Sequence, residues 1–364
     1  MATIDFFGEF DVTLQGDGEV IDSLREYYGR FLREGETRGP DLTVQAWASP
    51  PSPEKVYGDP ETYYGRAGDR FVIRDGSNFV SLDREWCDIR TAPETNHFFV
   101  SYLVEFALRR QFAAEGRVLV HASGLVKDGT TYVFPAWRHT GKTNTLLALL
   151  RDGGDYLSDD RVWIDRDGTV WGYPLPVNLL PYNAESFPDV SLASRIDRLR
   201  AAVSDAMMER FDRLGPIHEK ILYFLAKFYI DVPLGEVVAI EEILPDVGYR
   251  STAELDELVL LRTAPERGSP ELEPISSAEA HAELTSTSHY EWNARIEEYA
   301  RIFDTLFGTE SRTSEVEALV DTEGEILRDL VETTQTARLH LPREERWAEK
   351  GLTRAVREEV LQQG

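Results

Sequence analysis

Gly141, Lys142 and Thr143 stand in a row, with His121 21 positions before the lysine and the adjacent aspartates Asp159 and Asp160 beginning 17 positions after it. One ammonium, one hydroxyl, two carboxylates and one imidazole make up most of what a magnesium-dependent phosphoryl transfer needs. In a phosphate loop the backbone N–H groups wrap the anion, the lysine meets the β and γ phosphates, and the threonine hydroxyl holds magnesium. The pattern G-x-x-x-x-G-K-[ST] extends the loop back over Ala136, Trp137, Arg138, His139 and Thr140, so these five join Gly141, Lys142 and Thr143 as candidate nucleotide contacts. Ala136 stands where the pattern has glycine, and Trp137, Arg138 and His139 stand where small residues are usual. A methyl at 136 is mild if φ stays negative, and bulk at 137 to 139 has to point outwards. Taken alone, the segment is equally an ordinary strand-turn-helix with Gly141 as its turn residue and Lys142 as a solvated first-turn charge.

The elements that would position these groups are legible around them. A β-rich run, Thr131 to Phe134, precedes the loop, an apolar helical stretch, Leu146 to Leu150, follows it, and a short strand, Asp155 to Ser158, ends at the aspartates. Strand, helix and strand in that order bring the acidic pair to the same sheet edge as the loop. Successive strand side chains point to opposite faces, so one carboxylate takes the magnesium side and the other the acceptor hydroxyl. The plainer alternative is a solvated strand end in an acid-rich chain. His121, in the run Val118 to Ala122, is either a half-buried structural histidine or a group that shares a proton with a carboxylate at neutral pH. Glu185 lies at a distance that suits a second acidic contact, although its Pro-rich surroundings read as a loop. His97, His218, His281, His289 and His340 show no metal-ligand spacing with one another or with Cys87.

His121-Ala122-Ser123-Gly124, Gly141-Lys142-Thr143 and Leu157-Ser158-Asp159-Asp160-Arg161-Val162 together resemble the catalytic core of the HPr kinase/phosphorylase family, whose fold is shared with phosphoenolpyruvate carboxykinase. The resemblance covers roughly residues 97 to 185. It implies an α/β (mixed α+β) fold with a phosphoenolpyruvate carboxykinase-like P-loop core. It also implies ATP and magnesium as cofactors and a serine or other hydroxyl, on a protein or a small molecule, as phosphate acceptor. On this resemblance Lys142 binds the phosphates, Thr143 the magnesium, and Asp159 takes the acceptor proton with help from His121, while Asp160 supports metal or substrate. The chain departs from the family at Ala136 and His139, where the loop loses two glycines, and it lacks the downstream glycine-rich signature of members that phosphorylate HPr. The alternative is therefore a non-catalytic nucleotide-binding pseudokinase or sensor.

Composition sets the surroundings. The 65 acidic against 39 basic residues leave a formal charge of −26, and only six of the basic residues are lysines, which makes Lys142 the more notable. Such an acidic, lysine-poor surface suits a salt-rich cytoplasm, as in a halophilic archaeon, where high ionic strength screens the self-repulsion. It argues against a nucleic-acid backbone or an anionic membrane as partner. A single cysteine allows no internal disulfide, so the expected home is reducing and cytoplasmic. MATIDFFGEF lacks the basic and apolar regions of a leader, and no run approaches the ~20 apolar residues of a membrane span.

Three parts are expected along the 364 residues: a β-rich module over 1–96, the P-loop core over 97–310 with a helical insertion near 190–230, and a charged helical tail over 311–364. In the first, Ile4 to Leu14 and Asp41 to Trp47 read as strands, Asp22 to Arg33 as a helix, and Asp75-Gly76 as the turn of a hairpin. Cys87, beside Trp86, reads as a small core residue in a strand. An apolar-periodic helix runs from His97 to Ala114. Strands follow at Val162–Ile164, Val170–Tyr173, Glu236–Ile240 and Glu257–Leu261, and Ser276-x-x-Glu279 is a capping box opening a helix. In the tail, Leu352, Val356 and Val360 form a narrow apolar stripe that either packs on its own domain or makes a homo-oligomer contact.

Overall fold

The computed structural model describes residues 1–33, 39–47, 49, 51–179, 183, 186, 187, 236–343 and 347–361. The expected helices at 190–230 and the candidate Glu185 lie outside them. Helices and strands occur in comparable measure, a mixed α/β composition. The chain forms two compact units: Met1–Val120, Trp163–Gly168 and Ser277–Thr333 make one; His121–Val162, Thr169–Ser276 and Thr334–Gly364 make the other. This division differs from the three-part reading, because each unit is assembled from separated stretches of chain.

The first unit carries a nine-stranded sheet. Ile4 to Leu14 is a hairpin, Ala2–Phe6 against Phe10–Gln15, because Phe7 and Gly8 turn the chain with φ 60° and 77°. Phe10–Gln15 pairs in parallel with Leu42–Ala46, and that strand in parallel with Asp88–Thr91. An antiparallel meander of Asn78–Leu82, Arg70–Asp75, Thr62–Ala67 and Lys55–Gly58 completes the sheet, with Asp75-Gly76 at the expected turn. The helix expected over 22–33 spans Glu19–Tyr27, and the chain then passes through a 3₁₀ turn into a two-residue strand, Leu32–Arg33.

The helix His97–Ala114 has the expected bounds, and Asn96 caps it by accepting the Phe98 N–H at 2.9 Å. Its residue Arg109 is buried and forms a two-pronged ion pair with Glu323 of the helix Ser311–Thr333, at 2.7 and 2.5 Å. Cys87 corrects the sequence reading: it is exposed, while Trp86 takes the core position. The reason is local, since Asp83 accepts the N–H groups of both Cys87 and Asp88, which folds 83–88 into a turn between strands.

The second unit is built on a seven-stranded sheet in the order Gly248–Tyr249, Asp155–Ser158, Ala122–Lys127, Thr130–Pro135, Glu257–Thr263, Gln335–Leu341, Glu271–Pro274. Ala122–Lys127 pairs antiparallel with the strands on both sides of it, so Thr130–Pro135 and Asp155–Ser158 run parallel with one strand between them. Their ends therefore open on the same edge of the sheet. The loop helix, Lys142–Leu150, buries Leu146, Leu147, Leu149 and Leu150. Lys127, itself buried, donates to the Asp152 and Gly153 carbonyls just past that helix, at 3.0 and 2.6 Å. Such a cation suits the carbonyl end of a helix.

The tail is not wholly helical as expected. Gln335–Leu341 is a strand in this sheet, paired in parallel with Glu257–Thr263. Its alternation of Ala337, Leu339 and Leu341 with Thr336, Arg338 and His340 has the period of two that a strand requires. The stripe Leu352, Val356, Val360 is buried in the same core cluster as the loop helix, which gives it its place within its own unit. Among the described residues no helix is long and apolar enough to cross a membrane.

Candidate functional site

The loop forms where the Thr130–Pro135 strand ends. The Ala136 N–H donates to the His121 carbonyl at 3.2 Å, continuing the strand pairing by one step and burying the Ala136 methyl. Trp137, Arg138 and His139 then stand exposed, as their bulk required. Thr140 closes the turn by donating its hydroxyl to the Trp137 carbonyl at 2.8 Å. His139 takes φ 58°, a left-handed turn in a residue that is not glycine. Gly141 follows with φ 99° and opens the helix. The N–H groups of that helix's first turn have no partner within the helix and carry its positive end, which suits an anion.

Five of the candidate side chains converge behind this loop. Lys142 is 9% exposed and lies between His121 Nε2, in a short hydrogen bond, and Asp160 Oδ1, at 3.2 Å. Lysine has only donors, so Nε2 accepts and the ring proton sits on Nδ1, which faces Asp160 Oδ1 at 3.5 Å. Burial, and then the neighbouring Lys142 charge, push the His121 pKa down to about 3, which keeps the ring neutral at pH 7. Asp160 is held well below the usual carboxylate range: desolvation opposes its charge, and Lys142, His121 and Arg161 together outweigh that.

Asp159 has a different environment. It is 7% exposed, its Oδ2 accepts the Thr143 hydroxyl at 3.0 Å, and its Oδ1 is buried with no hydrogen-bond partner among the described residues. Burial, reinforced by the Asp160 charge, pushes its pKa up to about 7, against the opposing effects of Lys142 and Thr143. The two aspartates thus face different partners, but not through strand alternation: the strand ends at Ser158, and both carboxylates sit on the bend that follows it. The pairings differ in detail from those the resemblance implies. Thr143 meets Asp159 where Asp160 was its expected metal partner, and His121 meets Lys142 and Asp160 where Asp159 was its expected partner.

Among the described residues no group of three or more His, Cys, Asp or Glu could hold a metal ion by itself. One hydroxyl and two carboxylates, one with an orphaned buried oxygen, do fit magnesium, which characteristically completes its octahedron with phosphate oxygens and water.

Several contributors escaped the sequence reading. Arg161 Nε lies 3.4 Å from Asp160 Oδ2. Asn144, next to Thr143, is 2% exposed and uses both ends of its amide: Oδ1 accepts from Asn183 at 2.7 Å and Nδ2 donates to Ser186 at 3.2 Å. An asparagine in the first turns of an apolar helix is a signal in itself, because its side chain competes with the backbone there unless it has a partner elsewhere. Trp347 lies against Gly141, and nothing local in the sequence announces that. Comparison with protein-family models and with curated proteins finds no match for this chain.

Proposed function

We propose that this chain is an ATP- and magnesium-dependent kinase of the HPr kinase-like type, with a phosphoenolpyruvate carboxykinase-like P-loop core, that transfers a phosphoryl group to a serine or other hydroxyl. The observation that carries this reading is the convergence of Lys142 and Thr143, on the loop helix, with Asp159 and Asp160, at the end of a parallel strand. Magnesium would be held by Thr143 with Asp160, and would neutralise charge developing on the transferred group. Lys142 exchanges Asp160 for the β and γ phosphates while His121, neutral, keeps its ammonium oriented. Asp159 takes the proton of the acceptor hydroxyl on Oδ1; a carboxyl with a pKa near 7 is about half ionised at neutral pH and matched to that task.

The test is magnesium-dependent nucleotide binding by titration calorimetry. Wild type binds, and Lys142→Ala weakens binding by at least about tenfold, the order of a lost charge-assisted hydrogen bond. No binding by wild type refutes the reading. The contact between Lys142 and Asp160 also favours a second reading, a non-catalytic nucleotide-binding pseudokinase or sensor in which the lysine charge is already matched. In that case nucleotide binds, and Asp159→Asn leaves every turnover measurement unchanged.

A further inference from the structure

A phosphate loop uses glycines to hold left-handed backbone without strain, and this loop holds one such position with a histidine. His139 stays at φ 58° and Gly141 at φ 99°. A non-glycine residue in the left-handed region persists only where its surroundings over-determine it. What surrounds this turn is a buried polar clamp on the first turn of the loop helix. Asn144 follows Thr143 directly, and its amide is engaged at both ends: Asn183 donates to Oδ1 at 2.7 Å, and Nδ2 donates to Ser186 Oγ at 3.2 Å. All three are essentially buried, at 2%, 2% and 0% exposure. The Trp347 N–H reaches the same Ser186 oxygen at 3.5 Å, and the Trp347 ring seats on Gly141, where a Cβ would meet Cζ2 at 3.2 Å. Backbone and side chains thus close a ring from Gly141 through Trp347, Ser186 and Asn144 back to the loop.

We infer that Asn144, with Asn183, Ser186 and Trp347, is a positioning set that holds the glycine-poor loop in its anion-binding conformation and thereby aims Lys142 and Thr143. None of the four touches the lysine ammonium or the aspartates in the contacts described above; they act through the register of the helix's first turn. Asn144→Ala leaves two buried partners short of a hydrogen bond and frees the turn to relax toward negative φ at 139. The inference rests on the proposed nucleotide reading for its consequence, but the clamp is measurable without nucleotide.

The experiment uses the full chain and three variants: Asn144→Ala, His139→Gly, and the two combined. Amide hydrogen exchange of residues 137–143 is followed by mass spectrometry without nucleotide, and magnesium-ATP affinity is measured alongside. Asn144→Ala is expected to speed loop exchange and weaken magnesium-ATP about tenfold, the scale of coupling within one hydrogen-bond network. Adding His139→Gly is expected to recover most of both losses, because glycine relieves the strain that the clamp otherwise holds. A merely structural asparagine would give a loss that glycine at 139 does not repair, and that result, or unchanged exchange in Asn144→Ala, overturns the inference. If no variant binds ATP but exchange responds and is rescued as stated, the clamp stands and the kinase reading falls.

Discussion

Gly141→Ala isolates the contribution of packing to the loop before the Lys142–Leu150 helix, because the same sequence contains glycines at almost the same φ with no neighbours. At Gly141, φ is 99°, and an added Cβ would lie 3.2 Å from Trp347 Cζ2 and 3.3 Å from Leu341 Cδ1. At Gly129, φ is 92° and nothing lies within 4 Å of the same added atom. Placing an L side chain in left-handed backbone costs about 1–2 kcal/mol at either site. Crowding a packed neighbour adds about 1–3 kcal/mol, and only at Gly141. The expected destabilisation is therefore about 1–2 kcal/mol for Gly129→Ala and about 2–5 kcal/mol for Gly141→Ala. Urea unfolding followed by far-ultraviolet circular dichroism measures both, with stability differences taken from the midpoints at constant m. Trp347→Leu shortens the offending ring, so the excess at 141 should shrink in that background. Equal costs at 129 and 141 would refute the packing of the C-terminal segment against the loop.

Two further predictions concern buried charge. Asp159 has its folded pKa raised to about 7, so between its ordinary value near 4 and about 7 the native state keeps a proton that the unfolded chain releases. Wild type should thus lose stability as pH rises through that window, while Asp159→Asn lacks this slope and gains on wild type by at most about 4 kcal/mol at pH 8, the whole of the shift at about 1.4 kcal/mol per pH unit. Parallel unfolding curves at pH 4.5 and 8 check this, and an identical pH slope in the two proteins counts against a buried, protonated Asp159. In the other unit, Glu323→Ala strands Arg109, 2% exposed, without its two-pronged carboxylate. A loss of about 3–5 kcal/mol in urea is expected, and one below about 1 kcal/mol would show the pair to be unimportant.

Local pattern carried far where the physics is local. The helix His97–Ala114, the hairpin turn at Asp75-Gly76, the strand Asp155–Ser158 and the stripe Leu352, Val356, Val360 all follow from periodicity and turn chemistry, and each has its expected place in the chain. The strand Gln335–Leu341 was equally legible, with a clean period of two, but it lies between two helical stretches whose charge density dominated the reading. Cys87 went the other way: β-like neighbours suggested a core strand, and the Asp83 carboxylate made a turn.

The candidate site divides along the same line. Residue identity and spacing brought His121, Lys142, Thr143, Asp159 and Asp160 to one sheet edge, because strand-helix-strand connections of this length have few ways to close. Which aspartate meets which partner was beyond the sequence, since it depends on how the chain bends after Ser158, and only the folded unit sets Asp159 on Thr143 and Asp160 on Lys142. The same holds for protonation. A histidine and an aspartate have ordinary pKa values in any sequence, and burial beside a lysine makes the one neutral and beside a second carboxylate makes the other titrate near 7. By itself the sequence determined the donors and their order; tertiary structure decided their pairing, their charge, and the clamp from Asn183, Ser186 and Trp347, because desolvation and contacts between residues tens to hundreds of positions apart exist only once the chain has folded.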